Sequence, residues 1–144
     1  MSYLKIWIHC VWTTDKRIPY LKDKIKDAVI YHILENARAI GIYIDHINGH
    51  QEHLHALISL GGKQTISDIM QKIKGESSYW INKRKLTRDK FKWQDDYYSV
   101  SIGMSQLENL RRYIRNQDQH HSKAKFEEEL NLLIEEYQLV RTLD

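Results

Sequence analysis

Cysteine and proline each occur only once in the sequence, as Cys10 and Pro19. A single cysteine excludes an internal disulfide and a cysteine-rich zinc site. Long apolar runs are also lacking: they reach about the length of one strand, whereas a membrane-spanning helix needs roughly 20 residues. The first residues match a signal peptide poorly, because Lys5 and His9 interrupt their apolar run. These absences favour a cytoplasmic protein without a membrane anchor.

The charge is unevenly distributed along a chain of otherwise ordinary globular composition. The 144 residues, of which 28% are charged and 42% hydrophobic, predict one domain spanning residues 1–144. Residues 61–92 hold nine basic and three acidic residues, whereas residues 93–144 hold six basic and ten acidic ones. A basic segment favours phosphate backbones, although a solvated helix face is an equally good interpretation. The candidate phosphate contacts are Lys72, Lys74, Lys83, Arg84, Lys85 and Arg88.

Hydrophobic periodicity predicts alternating strands and helices. Strands are expected at residues 3–12, 42–47, 53–60 and 97–101, with a tight turn at Asn48-Gly49. Helices are expected at residues 25–40, from the N-cap Thr65 to Trp80, from a capping box at Ser105 and Glu108, and at residues 123–140. The first six elements give a βαββαβ order. This order predicts an α+β, ferredoxin-like antiparallel sheet with two helices on one face, followed by an added helix and a C-terminal helix.

The sequence His53-Leu54-His55 places two imidazoles on one face of the third strand. Two imidazoles at this spacing can share a metal ion, since His is the commonest protein ligand of transition metals. Two partly exposed strand histidines with no ligand are the plainer interpretation, and the pair alone does not exclude it.

The third helix carries Tyr113 and Gln117 at i, i+4 spacing, at the edge of its apolar stripe. A tyrosine at such an edge is most often structural. The amide oxygen of Gln117, however, is an acceptable third ligand for Mg²⁺ or Mn²⁺ beside two imidazoles.

Together these residues describe one chemistry. A divalent metal ion held by His53, His55 and Gln117 would act as a Lewis acid on a phosphodiester, and the hydroxyl of Tyr113 would attack phosphorus. A phosphotyrosine retains the energy of the phosphodiester bond, so the cut strand can be rejoined by reversal. Cleavage and rejoining suit DNA recombination.

The chain resembles the small single-tyrosine HUH transposases of bacterial and archaeal insertion sequences, which are related to REP-associated tyrosine transposases. The similarity rests on His53-Leu-His55, on Tyr113-Ile-Arg-Asn-Gln117, and on further segments that include His9-Cys-Val-Trp12 and Lys74-Gly-Glu-Ser77. It covers nearly the whole chain. The sequence departs from the family in having Asp95-Asp96-Tyr97-Tyr98 before Ser-Val-Ser, and Glu52 where Asp is frequent.

The resemblance implies a transposase that acts on single-stranded DNA and recognises hairpins near element ends. It implies a 5′-phosphotyrosine on Tyr113, a released 3′-hydroxyl, and Mg²⁺ or Mn²⁺ as cofactor. It also implies a homodimer, in which the tyrosine helix of one subunit can complete the site of the other.

Other polar residues near these motifs are secondary candidates. His120 is a possible neighbour of the site or a substitute for Gln117. His9 could approach the site, although a structural role is the main expectation for it. Glu52 could orient a metal-bound histidine, but strand alternation predicts that it points away from His53. Three arginines on the tyrosine helix are further candidates for phosphate contacts: Arg111, Arg112 and Arg115.

Two alternatives to the transposase remain open. A domesticated relative would bind DNA hairpins, with or without cleavage, and would show salt-sensitive binding. A metal phosphodiesterase would hydrolyse its substrate without a protein-linked intermediate.

Overall fold

The computed structural model describes residues 1–117 and 123–142 of the chain; for residues 123–125 it describes the backbone only. Within these residues four strands form one antiparallel sheet in the order β2-β3-β1-β4. The strands are β1 (Trp7–Thr13), β2 (Tyr43–Gly49), β3 (His53–Ser59) and β4 (Tyr98–Ile102). The helices are α1 (Lys24–Ala39), α2 (Ile66–Lys83), α3 (Leu107–Arg115) and α4 (Lys123–Glu136). The predicted ferredoxin-like fold is confirmed.

The two faces of the sheet carry different helices. Alternate residues of β1, such as Cys10 and Trp12, point into the main core beneath α1 and α2. The intervening residues, such as Trp7 and Val11, pack against α3 and α4. Because His53 and His55 share this second face, the added helices lie over the histidine pair.

Two local predictions are wrong in detail. Asn48 and Gly49 form the last pairs of β2, opposite His55 and Leu54, and are not a tight turn. The chain reverses at residues 50–52, where the backbone N–H of His50 donates to the carbonyl of His53 at 3.0 Å. The first strand begins at Trp7, where it pairs with Ser59 at the end of β3.

The entrance to α3 also differs from the prediction. The chain forms a short 3₁₀ helix at Met104–Gln106, and the backbone N–H of Gly103 donates to Oε1 of Gln106 at 3.2 Å. Glu108, the expected capping carboxylate, forms an ion pair with Arg111 instead. The helix therefore begins at Leu107. By contrast, the predicted N-cap at Thr65 is confirmed, since its hydroxyl accepts from the N–H of Asp68.

Gly49 is required where β2 meets β3. A Cβ atom at this position would lie 2.0 Å from the backbone oxygen of His53, well inside van der Waals contact. The absence of a side chain thus permits the tight pairing that fixes the start of the histidine strand.

Candidate active site

The side chains of His53 and His55 project from the same face of β3, with ring centroids 5.0 Å apart. Both residues are buried beneath α3 and α4. The predicted sharing of one face is therefore found, but the rings are not on an open surface. Their burial argues against the interpretation as two partly exposed strand histidines.

Each nitrogen of the His53 ring faces an oxygen atom. Nδ1 lies 2.6 Å from Oε1 of Glu52, and Nε2 lies 3.0 Å from Oε1 of Gln117. The ring of Phe126 from α4 stacks on His53 with centroids 3.8 Å apart. The carboxylate and the stacked ring together fix the orientation of this imidazole.

The contact with Glu52 corrects a prediction. Strand alternation placed Glu52 on the face opposite His53, but Glu52 precedes β3 in a bend, where that alternation does not apply. A carboxylate on Nδ1 fixes the tautomer whose Nε2 can ligate a metal ion. The prediction that Glu52 points away from the site is therefore wrong.

His55 contacts two side chains from distant parts of the sequence. Its Nδ1 lies 2.9 Å from Nε2 of His9, and its Nε2 lies 3.5 Å from Oε1 of Glu129 on α4. Burial raises the pKa of Glu129. The sequence pattern indicates neither contact.

His9 lies within the sheet and contacts the candidate site directly. It is 3% exposed, and burial lowers its pKa from 6.5 to about 4. The ring is therefore uncharged at neutral pH. The sequence leaves open that His9 approaches the site, and the structure places its ring against His55, one of the two candidate metal ligands.

Tyr113 stands beside the histidine pair. Its ring meets that of His55 edge-to-face, with centroids 5.4 Å apart. The side chain is 37% exposed and lines a cleft of about 710 Å³ between α3 and α4. The tyrosine is thus accessible from solvent while contacting a buried imidazole of the same chain.

Gln117 lies just beyond the end of α3. The helix ends at Arg115, and the N–H of Gln117 donates to the carbonyl of Ile114 at 3.2 Å, which tightens the last turn. This turn buries the amide to 1% exposure. Tyr113 and Gln117 therefore both face the histidines, as the spacing predicts, although Gln117 is not helical.

Side chains on β2 hold α3 in place. Asp45 lies at an irregularity in the strand register and receives two hydrogen bonds from Arg111, at 2.9 and 3.2 Å. Partial burial alone would raise the pKa of Asp45, but hydrogen bonds from Arg111 and His46 bring it below the usual value. The side chain of Asn48 also donates to the backbone oxygen of Arg115 at 3.0 Å. Arg111 is therefore engaged within the protein, contrary to its predicted role in binding phosphates.

The donor set fits a divalent metal ion. Because Glu52 contacts Nδ1 of His53, the other ring nitrogen, Nε2, faces the amide oxygen of Gln117. One nitrogen and one oxygen that can ligate a metal ion therefore already lie side by side. In the part of the chain that the structure describes, no group of three His, Cys, Asp or Glu side chains could hold a metal ion. The amide oxygen of Gln117, 3.0 Å from Nε2 of His53, is placed to be the third donor of a site built on His53 and His55. His120, the other suggested donor, lies outside the described residues.

The predicted phosphate-binding residues differ in how far their charges already contact other groups of the protein. Lys74 donates to the backbone oxygen of Asp95 at 2.8 Å, and Lys72 pairs with Asp68 at 2.9 Å. Lys83 and Arg84 lie over aromatic rings of α2 at 5.7 and 5.8 Å. Four basic residues at and just after the end of α2 are exposed and form a basic segment: Lys83, Arg84, Lys85 and Arg88.

The loop that follows this basic segment lies at the same end of the sheet as His53. The backbone of Lys92 accepts from Asp15, and that of Gln94 donates to Thr13, both at 2.9 Å. Thr13 pairs directly with His53. The loop that follows the basic segment therefore joins the end of β1 beside the candidate site, although α2 covers the other face. None of the helices in residues 1–117 and 123–142 is long and apolar enough to cross a membrane.

Comparisons with known proteins give a family match and two similar folds. The family model described as "Transposase IS200 like" matches residues 2–117. A candidate transposase from Deinococcus radiodurans R1 is 19% identical, with a TM-score of 0.66 over 81% of this chain and 94% of that one. A REP-associated tyrosine transposase bound to a REP hairpin is 18% identical, with a TM-score of 0.58 over 81% of this chain and 68% of that one. A search of curated proteins gave no significant match.

Proposed function

The chain belongs to the IS200-like transposase family, and from this premise we propose that it cuts and rejoins single-stranded DNA through Tyr113. The contacts that carry the proposal are the ring of Tyr113 against His55, at 5.4 Å between centroids, and Oε1 of Gln117 against Nε2 of His53, at 3.0 Å. Nucleophile and metal donors thus meet within one chain. Binding alone would require no such combination.

Tyr113 acts as the nucleophile. Its oxygen forms a bond to phosphorus while the bond from phosphorus to the 3′ oxygen of the upstream strand breaks. The phenol loses its proton, and the departing oxygen gains one to become a 3′-hydroxyl. The downstream strand remains attached to the protein through a 5′-phosphotyrosine, and attack by another 3′-hydroxyl reverses the step and rejoins DNA.

The remaining residues hold the site in order. His53, His55 and Gln117 would bind Mg²⁺ or Mn²⁺, with Glu52 orienting His53. A bound divalent ion would polarise the phosphodiester and favour the phenolate form of tyrosine, whose free pKa is about 10. The burial of both histidines keeps bulk water away from their side of the site.

DNA hairpins are the proposed substrate class. The structurally similar REP-associated transposase was solved with a REP hairpin, and this chain carries exposed basic residues at the end of the sheet that holds His53. A duplex stem on the basic segment would leave a single-stranded tail to reach Tyr113. A homodimer is part of this proposal, since joining two element ends requires two cuts.

The test uses DNA hairpins with randomised single-stranded tails, labelled at the 3′ end, in the presence of Mn²⁺. A denaturing gel should show label attached to the wild-type protein, and Tyr113→Phe and His53→Ala should lose this band. Tyr31→Phe is the matched control, because Tyr31 is exposed on α1. Persistence of the adduct in Tyr113→Phe would exclude this nucleophile.

The same gel distinguishes the alternatives. A domesticated hairpin-binding relative that has lost cleavage would retain salt-sensitive binding but give no product with any divalent metal ion. A metal phosphodiesterase would give cleaved DNA that carries no protein.

A further inference from the structure

His9 and His55 are joined across the centre of the sheet. Val11 pairs with His55 in the register of β1 and β3, so His9, two residues earlier, lies diagonally opposite on the same face. The rings are stacked with centroids 5.2 Å apart and planes inclined by 21°. Nε2 of His9 lies 2.9 Å from Nδ1 of His55.

The direction of this hydrogen bond determines what His55 can bind. A neutral imidazole carries one N–H, so one ring must donate and the other must accept. When Nδ1 of His55 donates, its Nε2 keeps a lone pair and can ligate a metal ion. When His9 donates, His55 carries its proton on Nε2, which faces Oε1 of Glu129 at 3.5 Å and cannot ligate.

We propose that His9 is the positioning residue of His55: it accepts the Nδ1 proton and thereby holds Nε2 of His55 in the ligating form. This inference rests on the metal-binding role proposed above. Glu129 favours the opposite tautomer, because a carboxylate beside Nε2 attracts an N–H to that atom. By accepting the Nδ1 proton of His55, His9 counteracts this effect of Glu129. Glu52, in the bend before β3, fixes the tautomer of His53 in the same way.

The two histidines therefore have different supports. His53 is held by a carboxylate, whereas His55 is held by the buried ring of His9. Replacement of His9 should alter His55 alone, since the ring of His53 is oriented by Glu52, Gln117 and Phe126.

Three substitutions of His9 test the inference on the full chain without DNA. His9→Gln places a carbonyl oxygen near the position of the His9 Nε2 atom. His9→Asn is one methylene shorter, so its oxygen does not reach that position, and His9→Leu has no hydrogen-bond acceptor. Two properties are measured: Mn²⁺ affinity by titration calorimetry, and the tautomer of His55 by ¹⁵N NMR of the metal-free protein. The His55 signals are assigned by their disappearance in His55→Gln, and His32→Leu, on the opposite face of the sheet, is the control.

We expect wild type and His9→Gln to carry the His55 proton on Nδ1. His9→Asn and His9→Leu should move it to Nε2 and weaken Mn²⁺ binding about 10- to 100-fold, as is usual when a ligating histidine is deprived of its partner. Unchanged tautomer and affinity in the Asn variant would overturn the inference, even if the Leu variant did not fold. If wild type bound no Mn²⁺, the proposed metal-binding role would be wrong. An unchanged His55 tautomer in the Asn and Leu variants would separately exclude the role of the His9 hydrogen bond.

Discussion

Nε2 of His53 lies 3.0 Å from Oε1 of Gln117, although 64 residues separate the two in the sequence. The contact joins the start of β3 to the turn after α3. It is buried on both sides, and Asp45 and Asn48 reinforce it by binding α3 from β2. The helix that carries Tyr113 is therefore attached to the strand that carries His53 and His55 in the same chain.

This attachment predicts that a single chain forms a complete site. A mixture of Tyr113→Phe with His53→Ala should yield no covalent DNA adduct, because no chain in it holds both an intact tyrosine and an intact histidine pair. The measurement is the labelled-adduct gel at equal total protein. Adduct formation in the mixture, but not in either variant alone, would show that tyrosine helices are exchanged between subunits.

Loss of the Asp45 carboxylate should loosen α3. Asp45→Asn weakens a charged hydrogen bond to Arg111 and should lower the free energy of unfolding by about 1.5–3 kcal/mol. Asp68→Asn, which weakens an exposed i, i+4 pair with Lys72, should cost less than about 0.5 kcal/mol. Urea unfolding at pH 7 measures the stability of both variants. Equal losses of stability would contradict the role of Asp45 in holding α3.

The ion pair of Asp45 with Arg111 also predicts how the stability of the protein depends on pH. Because the pKa of Asp45 is lowered in the folded protein, its stabilisation is complete above the ordinary aspartate pKa of about 3.9. It is lost as the pH falls through the lower, folded value, where the carboxylate is protonated. The stability difference between wild type and Asp45→Asn should therefore be constant near neutral pH and shrink on acidification below about pH 4.

Two glycine substitutions separate close packing from helix propensity. Gly49→Ala places a methyl group against the carbonyl of His53 and should destabilise the protein by about 1–3 kcal/mol or more, with loss of cleavage. Gly75→Ala, in α2 with open space around its Cβ position, should stabilise it by about 0.4–1 kcal/mol. Thermal unfolding gives the sign of each change. A neutral Gly49→Ala would show that the strand pairing there is less tight than the structure indicates.

Charge removal after α2 should reduce the salt dependence of hairpin binding. Neutralising Lys85 and Arg88 should lower the slope of log K against log salt by about 0.7–0.9 for each phosphate that the protein no longer neutralises. Arg38 and Lys63, exposed near the opposite end of the sheet, provide a control that removes the same charge. Fluorescence anisotropy at several salt concentrations makes the comparison, and equal slopes in the two double variants would exclude the basic segment as the phosphate-binding surface.

The main elements of the fold, and which motif residues share a face, are predictable from local pattern. Alternation along β3 placed His53 and His55 on one face, and helical spacing placed Tyr113 and Gln117 together. The wrong predictions come from applying strand alternation outside a strand, or a turn signal inside one. Glu52 lies in a bend and not in a strand, and Asn48-Gly49 extends β2 because β3 supplies partners for both residues.

The contacts of Glu129 and His9 could not be read from spacing. Each results from packing between elements far apart in the sequence: α4 crosses β3, and β1 lies beside β3. Asp45 and Arg111 likewise meet only after α3 has docked on β2. A local pattern identifies residues that can react, but the side chains that orient them come from the tertiary structure.

The buried position of Cys10 has a practical consequence. Its side chain is fully enclosed in the core beneath α1 and α2, and burial raises the pKa of its thiol to about 12. Alkylating reagents attack the thiolate, so the folded protein should resist them at neutral pH. A cysteine introduced at an exposed position such as Tyr31 or Arg38 would then be modified selectively, and a fluorophore could be attached there without removing the natural thiol.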